Sequence, residues 1–267
     1  MMNPISFCWP EGKAGALTTS WDDGTCHDRK LVGILNKNGL KGTFNLNSRR
    51  MLSNPADAVV QPDEVAALYA GHEVACHAFS HAHLEEMPDD AILAEMLADR
   101  RNLESLVRYP VRGMALPYGS YESRVLADLR ACGILHSRTV AGHNRFNLPG
   151  DFVEWHPTTH HRGDLAELWK KFHETRNAAK LFYLWGHSYE FPRDDNWSKI
   201  EDFAAAAGAD QDTWKATNME VVLYVTAWRS LWCSQDLTCF FNPSATTLWF
   251  KANGELKTIE PGKTLAL

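Results

Sequence analysis

The stretch "GALTTSWDDG", residues 15–24, decides how the rest of the chain is read. Gly15 to Trp21 is apolar and β-branched enough to form a short buried strand, yet it stops on two adjacent carboxylates, Asp22 and Asp23. Neighbouring carboxylates repel, and burial raises the cost of their charge. The plain explanation is turn chemistry, because Asp-Asp-Gly suits a tight turn and Asp caps helices. The sharper one is that a parallel α/β domain collects its reactive groups at the carboxyl ends of its strands.

Outward from this stretch, strand and helix patterns alternate. Residues 28–38 have helical spacing and stop at Gly39, 42–47 read as a strand, 62–70 as a helix with Pro62 in its first turn, and 72–78 as a strand. A long amphipathic helix over 88–107 precedes a strand in "VRGMALPYG" (111–119), a helix over 120–131 and a strand in "ILHSRTV" (134–140). Helices over 164–176, 196–207 and 217–232, the last with Asn218 as N-cap, flank a strong strand over 180–188. The alternation predicts a mostly parallel sheet with helices outside it, and the count suits a barrel of β/α units better than a small open sheet. After 232 the turn signals and alternating residues predict a few antiparallel strands. The chain therefore divides into a barrel over 1–232 and a short β extension over 233–267.

Composition narrows the partners. The 267 residues are 45% hydrophobic and carry a formal net charge of -6, so the basic footprint of a nucleic-acid binder is missing. No apolar run reaches the ~18 residues of a membrane-spanning helix. The N-terminus has no recognisable signal peptide and the six cysteines are scattered, which predicts a cytoplasmic protein with reduced thiols.

The predicted strand ends deliver a consistent set of groups. Asp22 and Asp23 follow the first strand, His77 and His81 lie in "HAFSHAH", and Pro117, Tyr118 and Gly119 follow a later strand. "EWHPTTHH" spans 154–161, and His187 ends "LFYLWGH". A His-x-x-x-His pair places two imidazoles on one face when the segment turns helically, a common metal-ligand geometry that also arises by chance on surfaces; His83 is a rival ligand. A lone His at a strand end is more often structural, so His187 gains meaning only from its company. Together, one Asp and two His make an open ligand set, with the other Asp free to act as a base.

On these residues the sequence resembles the NodB-homology polysaccharide deacetylases, carbohydrate esterase family 4. "TTSWDDG" is similar to that family's first motif, T-F-D-D-G, "HAFSH" to its second, "LPYG" to the end of its third, "EWHPT" to its fourth and "LWGHSYE" to its fifth. The resemblance implies a distorted (β/α)7-type barrel with a small C-terminal β extension. It implies a divalent metal, usually zinc, on Asp23, His77 and His81, with Asp22 as general base and His187 as general acid. The substrate it implies is an acetylated sugar of a polysaccharide, glycolipid or oligosaccharide, attacked at the acetyl carbonyl by water activated at the metal. Pro117, Tyr118, Trp155 and Trp185 are the expected substrate contacts, and a backbone N–H near Tyr118 is the expected oxyanion donor. One departure is plain: the family's third motif has an Arg where this chain has Ala115. Arg112 is the expected substitute, with Glu154 (or Asp151) as the acidic residue that assists it. The alternatives are a metal-dependent hydrolase of another amide, such as a formyl sugar or cyclic ureide, and a non-catalytic carbohydrate-binding protein.

Overall fold

The structure, a computed structural model, describes residues 5–267. Strand β1 (Ile5–Phe7) leads into β2 (Gly15–Asp22), every residue of which is buried. The chain then alternates through α1 (Asp28–Lys37), β3 (Thr43–Leu46), α2 (Ser48–Ser53), α3 (Val65–Leu68), β4 (Glu73–Cys76) and α4 (Asp89–Val107). It continues with β5 (Gly113–Ala115), α5 (Ser123–Ala131), β6 (His136–Arg138), β7 (Thr159–His160), α6 (Leu165–Glu174) and β8 (Leu181–His187). After these come α7 (Glu190–Arg193), α8 (Trp197–Ala209), β9 (Thr213–Lys215) and α9 (Asn218–Arg229).

Parallel pairing sets the order β6-β5-β4-β3-β2-β8-β7, and β9 pairs with the first residues of β2. The sheet curls until a single segment joins its two ends. Trp155 exchanges backbone hydrogen bonds with Ser137 and Thr139, Thr158 bonds the Tyr183 carbonyl, and β7 pairs with β8. This is the barrel of β/α units that the alternation favours, distorted as the resemblance implies.

The two-residue period of the strands creates two environments. Leu17, Trp21, Phe44, Phe182 and Leu184 join the apolar layer shared with the outer helices. The alternate residues meet inside the barrel, where the contacts are polar. Thr18 Oγ1 donates to Asn218 Oδ1 at 2.8 Å, Asn218 Nδ2 to the Tyr183 hydroxyl at 2.6 Å, and Asn45 Nδ2 to Ser20 Oγ at 2.8 Å. Such a lumen is tolerated because its buried groups find partners. At its lower end Glu73 accepts from Thr43 Oγ1 and from the Met219 N–H, both at 2.8 Å, so the N-terminus of α9 plugs the floor.

Two local expectations change. The helix expected over 62–70 contracts to the single turn α3, because Glu64 is drawn into an ion pair with Arg29 and accepts from the Gln61 N–H at 2.7 Å. The N-cap of α9 is Thr217 and not Asn218; Thr217 and Glu220 form a capping box, while Asn218 spends its side chain inside the barrel.

From Trp232 onward the strands are antiparallel: β10 (Trp232–Cys233), β11 (Cys239–Phe241), β12 (Leu248–Ala252), β13 (Glu255–Ile259) and β14 (Thr264–Ala266). They form two three-stranded sheets, β1-β12-β13 and β10-β11-β14, over a second apolar cluster that includes Trp9, Tyr224, Phe240 and Phe250. Among the described residues no helix is long and apolar enough to cross a membrane.

Candidate active site

The carboxyl ends of the barrel strands converge on Asp22 and its neighbours. Asp23 leaves β2 with a left-handed backbone (φ 80°), and Ala78 and His81 in the loop after β4 share that conformation at 57° each. Strain of this kind persists where the surroundings over-determine it. It turns Asp23 Oδ1 toward His77 Nε2 (3.9 Å) and His81 Nε2 (3.7 Å), which lie 3.2 Å apart. His77 is held twice: its Nδ1 meets the Ala115 carbonyl at 2.8 Å, and its backbone N–H donates to Asp99 Oδ2 at 3.0 Å. The first contact puts the proton on Nδ1 and leaves Nε2 as a lone-pair donor. Burial and the neighbouring His77 hold the His81 imidazole below its usual value, in the neutral form that ligates metal. One carboxylate and two imidazole donors within 4.8 Å of one another fit a divalent metal.

Asp22, one residue earlier, is engaged quite differently. Its Oδ1 accepts from Asn45 Nδ2 at 2.8 Å, and its Oδ2 pairs with Arg138 Nη2. Arg138 is fully buried; its Nε donates to Ser20 Oγ at 3.2 Å and its guanidinium lies 4.3 Å over the Trp185 ring. Burial alone pushes the Asp22 carboxyl up, but Arg138, followed by His77 and His187, outweighs it and brings the value down to about 2. Asp22 is therefore ionised at neutral pH.

His187 ends β8 with Nε2 3.9 Å from Asp22 Oδ2. Its other nitrogen, Nδ1, is 3.5 Å from Glu190 Oε2, an ion-pair distance longer than an ordinary hydrogen bond. The same oxygen lies 2.6 Å from His161 Nε2 and 3.1 Å from His160 Nε2, and Oε1 meets Arg162 at 2.9 Å and Arg193 at 3.3 Å. Burial pulls the His187 imidazole down, yet Glu190, Asp22 and Asp23 together raise it above its usual value. His160, His187 and Glu190 are also close enough to hold a metal, but two guanidinium groups on the same carboxylate make it an ion-pair hub.

A family model described as polysaccharide deacetylase matches residues 10–136. Chitin deacetylase 2 of Cryptococcus neoformans var. grubii is 26% identical over 106 residues, 39% of this chain and 22% of that protein. The chain thus spans about a fifth of the length of that curated relative. The fold is similar to that of a Mycobacterium smegmatis protein provisionally assigned as a polysaccharide deacetylase (TM-score 0.68, 18% identity, 86% of this chain and 96% of that one). It is also similar to an allantoinase (TM-score 0.62, 13% identity, 80% and 91%). Over residues 10–136 the chain is thus similar to polysaccharide deacetylases.

The Arg missing before Pro117 is not supplied by Arg112. Arg112 precedes β5 at the opposite end of the barrel, where its Nε donates to the Gly133 carbonyl. The guanidinium on Asp22 is that of Arg138, at the end of β6. Glu154 does not reach the base either; it is exposed and accepts from the Tyr121 hydroxyl at 2.7 Å. Asp151 pairs with Arg130. Trp155 cannot stack on a sugar, because it is 1% exposed and packs on Phe152 and Tyr183. Trp185 is buried beneath Arg138, and Pro117 is buried as well. Tyr118 is the exposed one of these four; with φ 58° it stacks on His83 at 3.9 Å and meets the edge of His81 at 4.6 Å. Sequence reasoning missed Arg138, Glu190 and Asn45. The available signal was an Arg alternating with His136 in a strand otherwise suited to the core.

Proposed function

We propose that the protein is a metal-dependent hydrolase that removes acetyl groups from acetylated sugars of a polysaccharide, glycolipid or oligosaccharide. The observation that carries this reading is the different company of adjacent residues: Asp23 Oδ1 faces two imidazoles and, at 3.5 Å, the partly exposed Arg50, while Asp22 is held inside the barrel by the buried Arg138 and by Asn45. A divalent metal, zinc by the character of the donors, would be held by Asp23, His77 and His81 and would supply Lewis-acid polarisation of the acetyl carbonyl and a more acidic water.

The chain's own groups do the rest. Asp22, kept ionised by Arg138 and Asn45, takes the proton of the attacking water. The Tyr118 N–H donates to the oxygen on which charge develops. His187, kept protonated by Glu190, gives its proton to the departing sugar nitrogen or oxygen. Arg138 and Glu190 act through these groups as positioning residues.

The test is acetate release from a panel of N- and O-acetylated sugars by the zinc-loaded protein, with Asp22→Asn as the control that keeps metal and loses turnover. Turnover of a formylated sugar or a cyclic ureide with no acetate release would move the reading to another amide. Sugar binding without any turnover would make the protein a carbohydrate binder.

A further inference from the structure

One buried carboxyl remains outside this mechanism. Asp28 opens α1, is fully buried, and meets no cationic side chain among the described residues. Its Oδ2 accepts from the Tyr69 hydroxyl at 2.7 Å, and its Oδ1 accepts from Ser188 Oγ. Ser188 Oγ in turn lies 2.8 Å from Thr25 Oγ1. All four side chains are buried, with at most 3% exposure. Burial pushes the Asp28 carboxyl up to about 7, with the Ser188 and Tyr69 hydroxyls pulling the other way. A group so costly to bury does little for stability by itself, since an apolar residue of its size would avoid the desolvation.

Its place in the chain is informative. The parallel ladder between β2 and β8 ends at the rung that pairs Asp22 with His187. Beyond that rung the two segments separate, one carrying Asp23, Gly24 and Thr25 and the other carrying Ser188 and Glu190. The Thr25–Ser188 contact ties them together again, and Asp28 anchors Ser188 from below. We infer that Thr25, Ser188 and Asp28 are positioning residues that clamp the loop of the base to the loop of the acid, so that Asp22 and His187 face one acetyl group together. This rests on the deacetylase reading for its catalytic meaning, but the clamp itself is a structural linkage. Misplacing reacting groups by about 1 Å can cost ~100-fold in rate.

The experiment compares Ser188→Ala, Thr25→Val and the conservative Thr25→Ser on the zinc-loaded protein. Thr25→Val keeps the shape of the side chain and removes its hydroxyl; Thr25→Ser keeps the hydroxyl. Ser188→Ala and Thr25→Val are expected to lower kcat about tenfold or more with KM and zinc content unchanged, and Thr25→Ser to stay within about twofold of wild type. Hydrogen exchange is the second readout: either hydroxyl deletion should raise exchange in both segments, 22–28 and 186–190. Unchanged kcat, equal losses in Thr25→Val and Thr25→Ser, or exchange confined to the substituted segment would each overturn the clamp. If Ser188→Ala does not fold, Thr25→Val carries the same comparison from the other loop. If the wild-type protein releases no acetate, the deacetylase reading fails, and the exchange experiment alone decides the clamp.

Discussion

Asp23, His77 and His81 lie inside the stretch matched by the family model, whereas Arg138, His187 and Glu190 lie beyond its end at residue 136. The first group is local in construction. Two short loops, at the ends of β2 and β4, bring it together through left-handed backbone positions and a carbonyl on the next strand. The second group is assembled by side-chain ion pairs over long distances, the Arg138–Asp22 pair spanning 116 positions of sequence. A backbone-built site is carried by a short motif. An ion-pair-built site can draw its partners from any strand end that faces the same lumen, which is how an Arg on β6 comes to stand where an Arg before Pro117 is expected.

The largest expected effects separate these halves. His77→Ala should strip the metal and abolish turnover together, with both restored in neither excess zinc nor a longer assay; stoichiometric zinc in the variant would remove His77 from the ligand set. Asp22→Asn should cut kcat by about 10³-fold while zinc stays at the wild-type level. Metal lost with Asp22→Asn would mean that the two carboxylates have exchanged roles.

Arg138 tests the second half through stability. Arg138→Met leaves the Asp22 carboxylate buried without its cation, and breaking a buried pair in this way costs about 3–5 kcal/mol. Denaturant unfolding should show that loss. Adding Asp22→Asn should recover much of it, since the uncompensated charge is then gone. A single variant as stable as wild type would show that the pair is solvated in solution and that Arg138 does not hold the base.

Those predictions also mark what could be read from sequence. The barrel was legible because "GALTTSW", "GTFNLN" and "LFYLWGH" are apolar runs bounded by helical patterns, and the strand ends then followed from the architecture. Asp22, Asp23, His77 and His81 were visible because they come as two short motifs, an adjacent Asp pair and a His-x-x-x-His pair, each at the end of a legible strand. Arg138 was hidden in "ILHSRTV", which reads as core, because its meaning depends on the inward side of β6 facing β2 across the lumen. Glu190 was hidden in a loop rich in acidic and aromatic residues, where no spacing distinguishes it from Asp194 or Asp195. Trp155 was over-read for the same reason: an aromatic ring fits a sugar and a core equally well, and only its burial separates the two.

The acid side gives a smaller effect with a definite sign. Glu190 raises the His187 value, and in the proposed mechanism the protonated imidazole is the active form, so activity should fall as pH rises through that value. In Glu190→Gln the support is gone and Arg162 and Arg193 are left unneutralised beside the ring. The alkaline limb of the kcat/KM profile should therefore move to lower pH, with a loss of about tenfold at neutral pH. An alkaline limb that stays in place would assign it to a group other than His187.

The smallest expected effect lies at the residues that the family pattern favours and the geometry does not. Glu154 is 43% exposed at its side chain, and its contacts are the Tyr121 hydroxyl at 2.7 Å and His156 at 4.0 Å, neither of which touches Asp22 or His187. Exposed substitutions of this kind usually shift stability by less than about 0.5 kcal/mol. Glu154→Gln should thus leave kcat, KM and the pH profile within about twofold of wild type, and Arg112→Ala should leave the pH profile unmoved because its charge sits at the other end of the barrel. A tenfold loss in Glu154→Gln, measured beside an unaffected Tyr121→Phe, would return this carboxylate to the catalytic machinery. It would also mean that the loop from 151 to 156 closes on the site when substrate binds.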